Sequence, residues 1–231
     1  MIVCKFGGSS VADAAQLRKI KQIIDSNPNR TIVIVSAPGK RRSDDEKVTD
    51  MLYGCAALVD QGKPCKPIFE KIVERYSTIL DDLKIDRTEF DPLFRRIEAE
   101  INEGAGSHYA ASRGEYLSAK VVAAFFGWEF LDTQDLITIE NDGTVASSSY
   151  EKITRAIDPK KRYVVPGFYG SDSEGIIKTF SRGGSDITAS VFARAVDADV
   201  YENWTDVSGI YAIDPRLTDK AKVIQELTYQ E

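Results

Sequence analysis

Four consecutive β-branched residues, Ile32-Val33-Ile34-Val35, constrain this chain most. Such a run has no polar face, so the strand it forms must be covered on both sides. An earlier apolar run, Ile2-Val3-Cys4-Lys5-Phe6, ends at Gly7-Gly8, and between the two Leu17, Ile20 and Ile24 recur at helical spacing. Strand, glycine turn, helix and doubly buried strand make a βαβ unit, from which parallel sheets are built. Ser10 with Asp13 three residues later reads as the box that starts the helix.

The alternation continues. Residues 48–102 are helical in pattern, with one apolar stripe of Ile68, Ile72, Tyr76 and Ile79 and another of Leu93, Ile97 and Ile101. A further helix is expected over 112–126. Strand-like segments follow near 129–131, 163–165, 175–179 and 200–204, with a helix over 186–196 before the last. There is no internal repeat, low-complexity tract or interdomain linker. The expectation is one α/β domain over residues 1–231, and 42% hydrophobic residues suffice for its core. The charge-dense segment Lys40–Lys47 reads either as a solvated loop or as a mobile cover over a site.

Thirty basic side chains against 36 acidic ones leave a net charge of −6, which argues against a nucleic-acid or anionic-membrane surface. No stretch approaches the roughly 18 apolar residues of a membrane helix. The chain opens on a core-like strand with no signal-peptide pattern, so a cytoplasmic protein is expected. Cys4, Cys55 and Cys65 are sparse and odd in number, as suits reduced thiols. Cys4 and Cys55 read as small buried hydrophobes; Cys65, in a polar stretch, is expected at the surface. The single histidine, His108, cannot furnish a zinc site, and no Gly-x-Ser-x-Gly elbow accompanies it. It reads as structural or superficial, and no metal ligands are assigned.

Four glycine-bearing junctions remain, and in open α/β sheets ligands bind at the carboxyl ends of strands. Lys5-Phe6-Gly7-Gly8-Ser9-Ser10 sets paired glycines, whose amides can approach a phosphate, beside a lysine. It is not a Walker loop. Ser112-Arg113-Gly114-Glu115 is expected to open a helix, with a carboxylate suited to a substrate ammonium or simply to the helix dipole. Phe180-Ser181-Arg182-Gly183-Gly184-Ser185-Asp186 pairs a guanidinium fork with exposed amides. Trp204-Thr205-Asp206-Val207-Ser208-Gly209-Ile210-Tyr211, running on to Asp214-Pro215-Arg216, groups polar, aromatic and cationic side chains able to grip a nucleotide. Each alone is ordinary loop chemistry. Together they point to phosphoryl transfer.

These blocks carry a resemblance. Lys5–Ser10 is similar to the aspartokinase signature Lys-Phe-Gly-Gly-Ser/Thr-Ser, and Ser112–Glu115 to that family's Ser-x-Gly-Glu. Gly167-Phe168-Tyr169-Gly170, Arg182–Asp186 and Thr205–Arg216 resemble further family blocks in the same order, so the likeness runs from Met1 to Glu231. Acetylglutamate and uridylate kinases share the fold but not this set.

The resemblance implies a three-layer αβα amino-acid-kinase fold around a mainly parallel open sheet. It implies phosphorylation of the β-carboxylate of L-aspartate by ATP, with Mg2+ entering as MgATP, in lysine, threonine and methionine biosynthesis. Lys5, Gly7, Gly8, Ser9 and Asp186 would surround the transferring phosphoryl group. Ser36, Thr49, Glu115, Phe168, Arg182, Gly183, Gly184 and Ser185 would form the aspartate site, Glu115 taking the ammonium and Arg182 a carboxylate. Thr205, Asp206, Tyr211 and Arg216 would bind ATP. A homo-oligomeric parent is also implied. Aspartokinases run on from a Ser/Thr-Tyr-Gln-Glu segment into Gly-Ala-Lys and regulatory ACT domains, so Thr228-Tyr229-Gln230-Glu231 is expected to mark a truncated kinase domain. Two alternatives stay open: a kinase for another acidic amino acid, and a binding module without turnover.

Overall fold

The structure, a computed structural model, describes residues 1–181, 183–205, 209, 213, 218, 223 and 224. Among them a five-stranded sheet runs in the order β3-β4-β2-β1-β7. Its strands are β1 (Ile2–Phe6), β2 (Arg30–Val35), β3 (Glu129–Phe130), β4 (Tyr163–Pro166) and β7 (Val200–Trp204). All four pairings are parallel.

Side chains alternate across the sheet. Cys4, Phe6, Val33, Val35 and Val164 face one core, which is closed by α1 (Ala14–Asp25), α2 (Val48–Asp60), α3 (Lys66–Leu83), α4 (Phe90–Asn102) and α5 (Gly106–Phe126). Val3, Ile32, Ile34 and Val165 face a second core, covered by α6 (Ser148–Ala156) and α7 (Gly184–Ala195). Ile32 to Val35 are fully buried, as their β-branched run requires. The three-layer αβα fold is therefore as expected. Among the described residues no helix is long and apolar enough to cross a membrane.

Several local expectations need correction. Asp13, not Ser10, caps α1: its side chain accepts from the Gln16 N–H at 2.9 Å, while Ser10 lies in a 3-10 turn over Gly8–Val11. The helix expected over 112–126 starts at Gly106, so Ser112–Glu115 lies inside α5 rather than at its start. Residues Ala110 through Ala119 are buried on every side. With no polar face exposed there, no apolar periodicity marks where the helix begins.

Helix α6 and strand β5 (Tyr169–Ser171) carry too little pattern to be read. In α6 only Ser149 and Ile153 are buried. Strand β6 (Ile177–Thr179) belongs to an antiparallel hairpin with β5, apart from the main sheet. Cys65 is fully buried, not superficial, because α3 and α4 close over it. His108 is exposed, and its Nδ1 accepts the Thr179 N–H at 3.2 Å.

Candidate active site

Parallel register brings four strand ends into one line. Phe6 is level with Val35 and Trp204, and Val35 with Pro166. The segments that follow therefore share one edge: Gly7-Gly8 after β1, Ser36 after β2, Gly167-Phe168 after β4 and Thr205 after β7. The Ser36 N–H donates to Phe6 O at 3.2 Å, and the Gly167 N–H to Val35 O at 2.9 Å. This edge is where a doubly wound sheet binds ligands.

Lys5, two residues on from Val3, shares its face of the sheet and so faces the layer containing α7. Its Nζ lies 2.9 Å from Asp186 Oδ1, in the first turn of α7. Asn203 Nδ2 donates to the same oxygen at 3.1 Å. Asn203 is level with Lys5 across the β1–β7 pair. The Lys5 ammonium thus sits beneath the glycine turn: a Cβ on Gly7 would lie 3.7 Å from it.

The start of α7 is pressed into the turn after β4. A Cβ on Gly184 would meet Phe168 Cα at 2.9 Å, and one on Gly167 would meet Ser185 Cα at 2.8 Å. Only glycine permits either approach. Phe168 itself has φ of 78°, an uncommon conformation for a bulky residue. It is held there by the Thr188 hydroxyl, which accepts its N–H at 3.1 Å, and by the Phe180 N–H, which donates to its carbonyl at 2.9 Å. Ser36 Oγ is 2.9 Å from Ser185 Oγ, tying the end of β2 to α7.

A cleft of about 510 Å³ opens beside the glycine turn, lined by Gly8, Ser9, Ser36, Lys40, Thr49 and Glu115 among others. Glu115 reaches it from inside α5 because Gly114 lets that helix approach: a Cβ there would lie 2.7 Å from Ala37 Cβ. Glu115 is only 4% exposed, and its Oε2 has no hydrogen-bond partner. Burial pushes its carboxyl up to about 8, against the opposing pull of the Ala37 backbone N–H. On the far side of Ser9 lies a smaller hollow of about 230 Å³, which Phe6, Trp204 and Thr205 also line.

The expected residues Lys5, Gly7, Gly8, Ser9, Ser36, Thr49, Glu115, Phe168, Gly183, Gly184, Ser185, Asp186 and Thr205 are thus arrayed around one edge of the sheet. Arg182, Asp206, Tyr211 and Arg216 lie outside the described residues. Asn203 and Gly39 carry no signal in the sequence, and Lys40 and Lys47 figure there only as the ends of a charge-dense segment. Asn203 carries no local signal, because its place beside Asp186 depends on strand register. The double glycine approach of Gly8 and Gly39 equally needs the folded chain.

The whole chain, residues 1–231, matches the model of the amino acid kinase family. It is similar to aspartokinase 3 of Bacillus subtilis, 38% identical over 100% of this chain and 54% of that protein. The solved aspartate kinase of Clostridium acetobutylicum superposes with a TM-score of 0.94 at 45% identity, over 100% of this chain and 53% of that one. Aspartokinase III of E. coli, solved with aspartate and ADP, superposes at 0.83 with 26% identity, over 97% of this chain and 53% of that one. The chain spans about half the length of each of these proteins. Aligned strand ends, a glycine turn over a half-buried lysine, and a match along its full length place the chain in the amino acid kinase family.

Proposed function

We propose that the chain is the catalytic region of an aspartokinase, which moves the γ-phosphoryl group of ATP to the side-chain carboxylate of aspartate. The observation that carries this reading is the buried Glu115 carboxyl group, whose Oε2 has no hydrogen-bond partner, on the wall of the cleft beside the glycine turn. Burial disfavours the ionised form of this group, and an arriving cation such as a substrate ammonium would favour it and answer the unpaired oxygen. The E. coli protein solved with aspartate and ADP, similar across 97% of this chain, supports the same pair of ligands.

In the proposed reaction a carboxylate oxygen of aspartate attacks the γ-phosphorus. The new O–P bond forms as the bond to the bridging oxygen breaks, and ADP leaves with the electron pair. The nucleophile is already ionised, so no general base is needed. The obstacle is charge, because two anions must meet. Lys5 and the amides of Gly7, Gly8 and Ser9 offset that charge, and Asp186 holds the lysine in place. Ser36, Thr49, Phe168, Gly183, Gly184 and Ser185 would enclose aspartate, with Arg182 on a carboxylate. Thr205, Asp206, Tyr211 and Arg216 would hold ATP on the far side of Ser9.

Magnesium would enter on the nucleotide and would supply neutralisation of the phosphate charge. Among the described residues no group of three or more His, Cys, Asp or Glu side chains gathers to hold a metal ion.

The test is aspartate-dependent ADP release by this chain and by the full-length protein. Turnover with aspartate well above that with glutamate is expected of the full-length protein. Preference for another acidic amino acid, or binding of both ligands without ADP release, would overturn the assignment.

A further inference from the structure

The buried face of α3 contains a charge. Arg75 has a side chain only 3% exposed, among the apolar residues Ile72, Tyr76 and Ile79. A buried guanidinium must be paired and hydrogen-bonded to be tolerated. Among the described residues, Arg75's hydrogen-bond partners all lie in one segment, the loop between β2 and α2. Its Nη1 donates to Gly39 O at 3.1 Å, and its Nη2 to Glu46 O at 3.3 Å and Asp45 Oδ2 at 2.5 Å. Asp45 is itself gripped by Arg41, through Nε at 2.9 Å and the backbone N–H at 3.0 Å.

Gly39 links this cluster to the glycine turn. While its carbonyl accepts from Arg75, its N–H donates to Gly8 O at 2.9 Å. The two backbones are so close that a Cβ on Gly39 would lie 2.8 Å from Gly8 C, and one on Gly8 would lie 2.9 Å from Ala37 O. The same loop carries Lys40 and Lys47 to the wall of the cleft and leads directly into Thr49. Arg75 is not among the residues that line this cleft.

We propose that Arg75 is a positioning residue: by clamping Gly39, Asp45 and Glu46 it holds the 39–47 loop against the glycine turn and so fixes the mouth of the substrate cleft. Lys40–Lys47 is exposed apart from half-buried Asp45, as the solvated-loop reading expects, and in this proposal it is also a tethered cleft wall. The assignment of the cleft to aspartate rests on the function proposed above; the clamp rests on the hydrogen bonds alone.

The experiment compares the wild-type full-length protein with Arg75→Met and Asp45→Asn. Methionine fills the buried volume without a charge, and Asp45→Asn leaves the Arg75–Gly39 bond available should the first variant fold poorly. Hydrogen exchange of ligand-free protein should lose protection at residues 39–47, Gly39 foremost, while the strands keep theirs. The KM for aspartate should rise about ten- to a hundredfold, as expected for losing hydrogen bonds to a charged group, with a smaller change in kcat. Arg75→Lys, with one ammonium in place of the fork, should recover part of that loss. Wild-type exchange at Gly39 together with an unchanged KM in both variants would overturn the proposal. So would activity that falls only in proportion to the folded fraction. If the wild type proves not to phosphorylate aspartate, the functional reading fails, and the exchange data still decide whether Arg75 holds the loop.

Discussion

Lys5 Nζ and Asp186 Oδ1 are 2.9 Å apart, although 180 residues of chain lie between them. The pair fixes an ammonium under a turn made of two glycines. Lys5→Ala in the full-length protein should therefore lower kcat by about 10²–10³, the usual loss on removing one preorganised charge stabiliser, with a smaller change in the KM for aspartate. Steady-state kinetics decide it; a kcat within about threefold of wild type, far short of that loss, removes Lys5 from the mechanism.

Glu115 makes stability depend on pH. Its folded carboxyl is raised from 4.5 to about 8, so between those values the folded chain keeps a proton that the unfolded chain has released. Its contribution is whole below about 4.5 and is lost as pH rises through 8. Glu115→Gln should flatten the fall in Tm between pH 5.5 and 8 and raise Tm at the upper end, as thermal melts across that range will show. An undiminished fall in the variant would place the proton elsewhere.

Aspartate recognition should suffer in the same variant. If Glu115 answers the substrate ammonium, Glu115→Gln weakens aspartate binding, and Arg182→Ala weakens it at the other end of the zwitterion. Isothermal titration of both variants is the measurement. Affinity unchanged in both would sink the assignment of these residues to aspartate.

Gly167 has no room for a side chain. A Cβ would stand 2.5 Å from Ser185 Oγ and 2.8 Å from Ser185 Cα, so Gly167→Ala must push α7 away from the strand end. Overpacking of this kind costs about 1–3 kcal/mol. The Ser36–Ser185 bond should break with it. Chemical denaturation should show the loss, and a Gly167→Ala protein as stable as wild type would mean that the turn after β4 yields freely.

The three cysteines should be inert. Cys4, Cys55 and Cys65 are all buried, and burial pushes the Cys55 thiol up to about 12. Thiolates are the reactive form. Ellman's reagent at pH 8 should label none of the three in native protein and all three in denaturant. Rapid labelling of Cys65 in the folded state would restore it to the surface.

Local pattern carries far where each residue's neighbours along the chain decide its state. The β-branched run at Ile32 could only be a covered strand, and Leu17, Ile20 and Ile24 could only present one helical face. The glycine blocks were equally legible, since turns and close backbone approach demand that residue wherever they occur. Pattern fails where burial is uniform or slight, as over the first half of α5 and along α6.

What the sequence by itself determined, then, is the parallel α/β class and the blocks that carry the chemistry. What only the tertiary structure decided is their mutual geometry: Asn203 beside Asp186, Gly39 against Gly8, Glu115 inside a helix instead of at its start, and Arg75 beneath the loop. Strand register and helix packing create those meetings between residues far apart in the chain. The free energy that selects them comes from burying both faces of the sheet together, which no single segment contains.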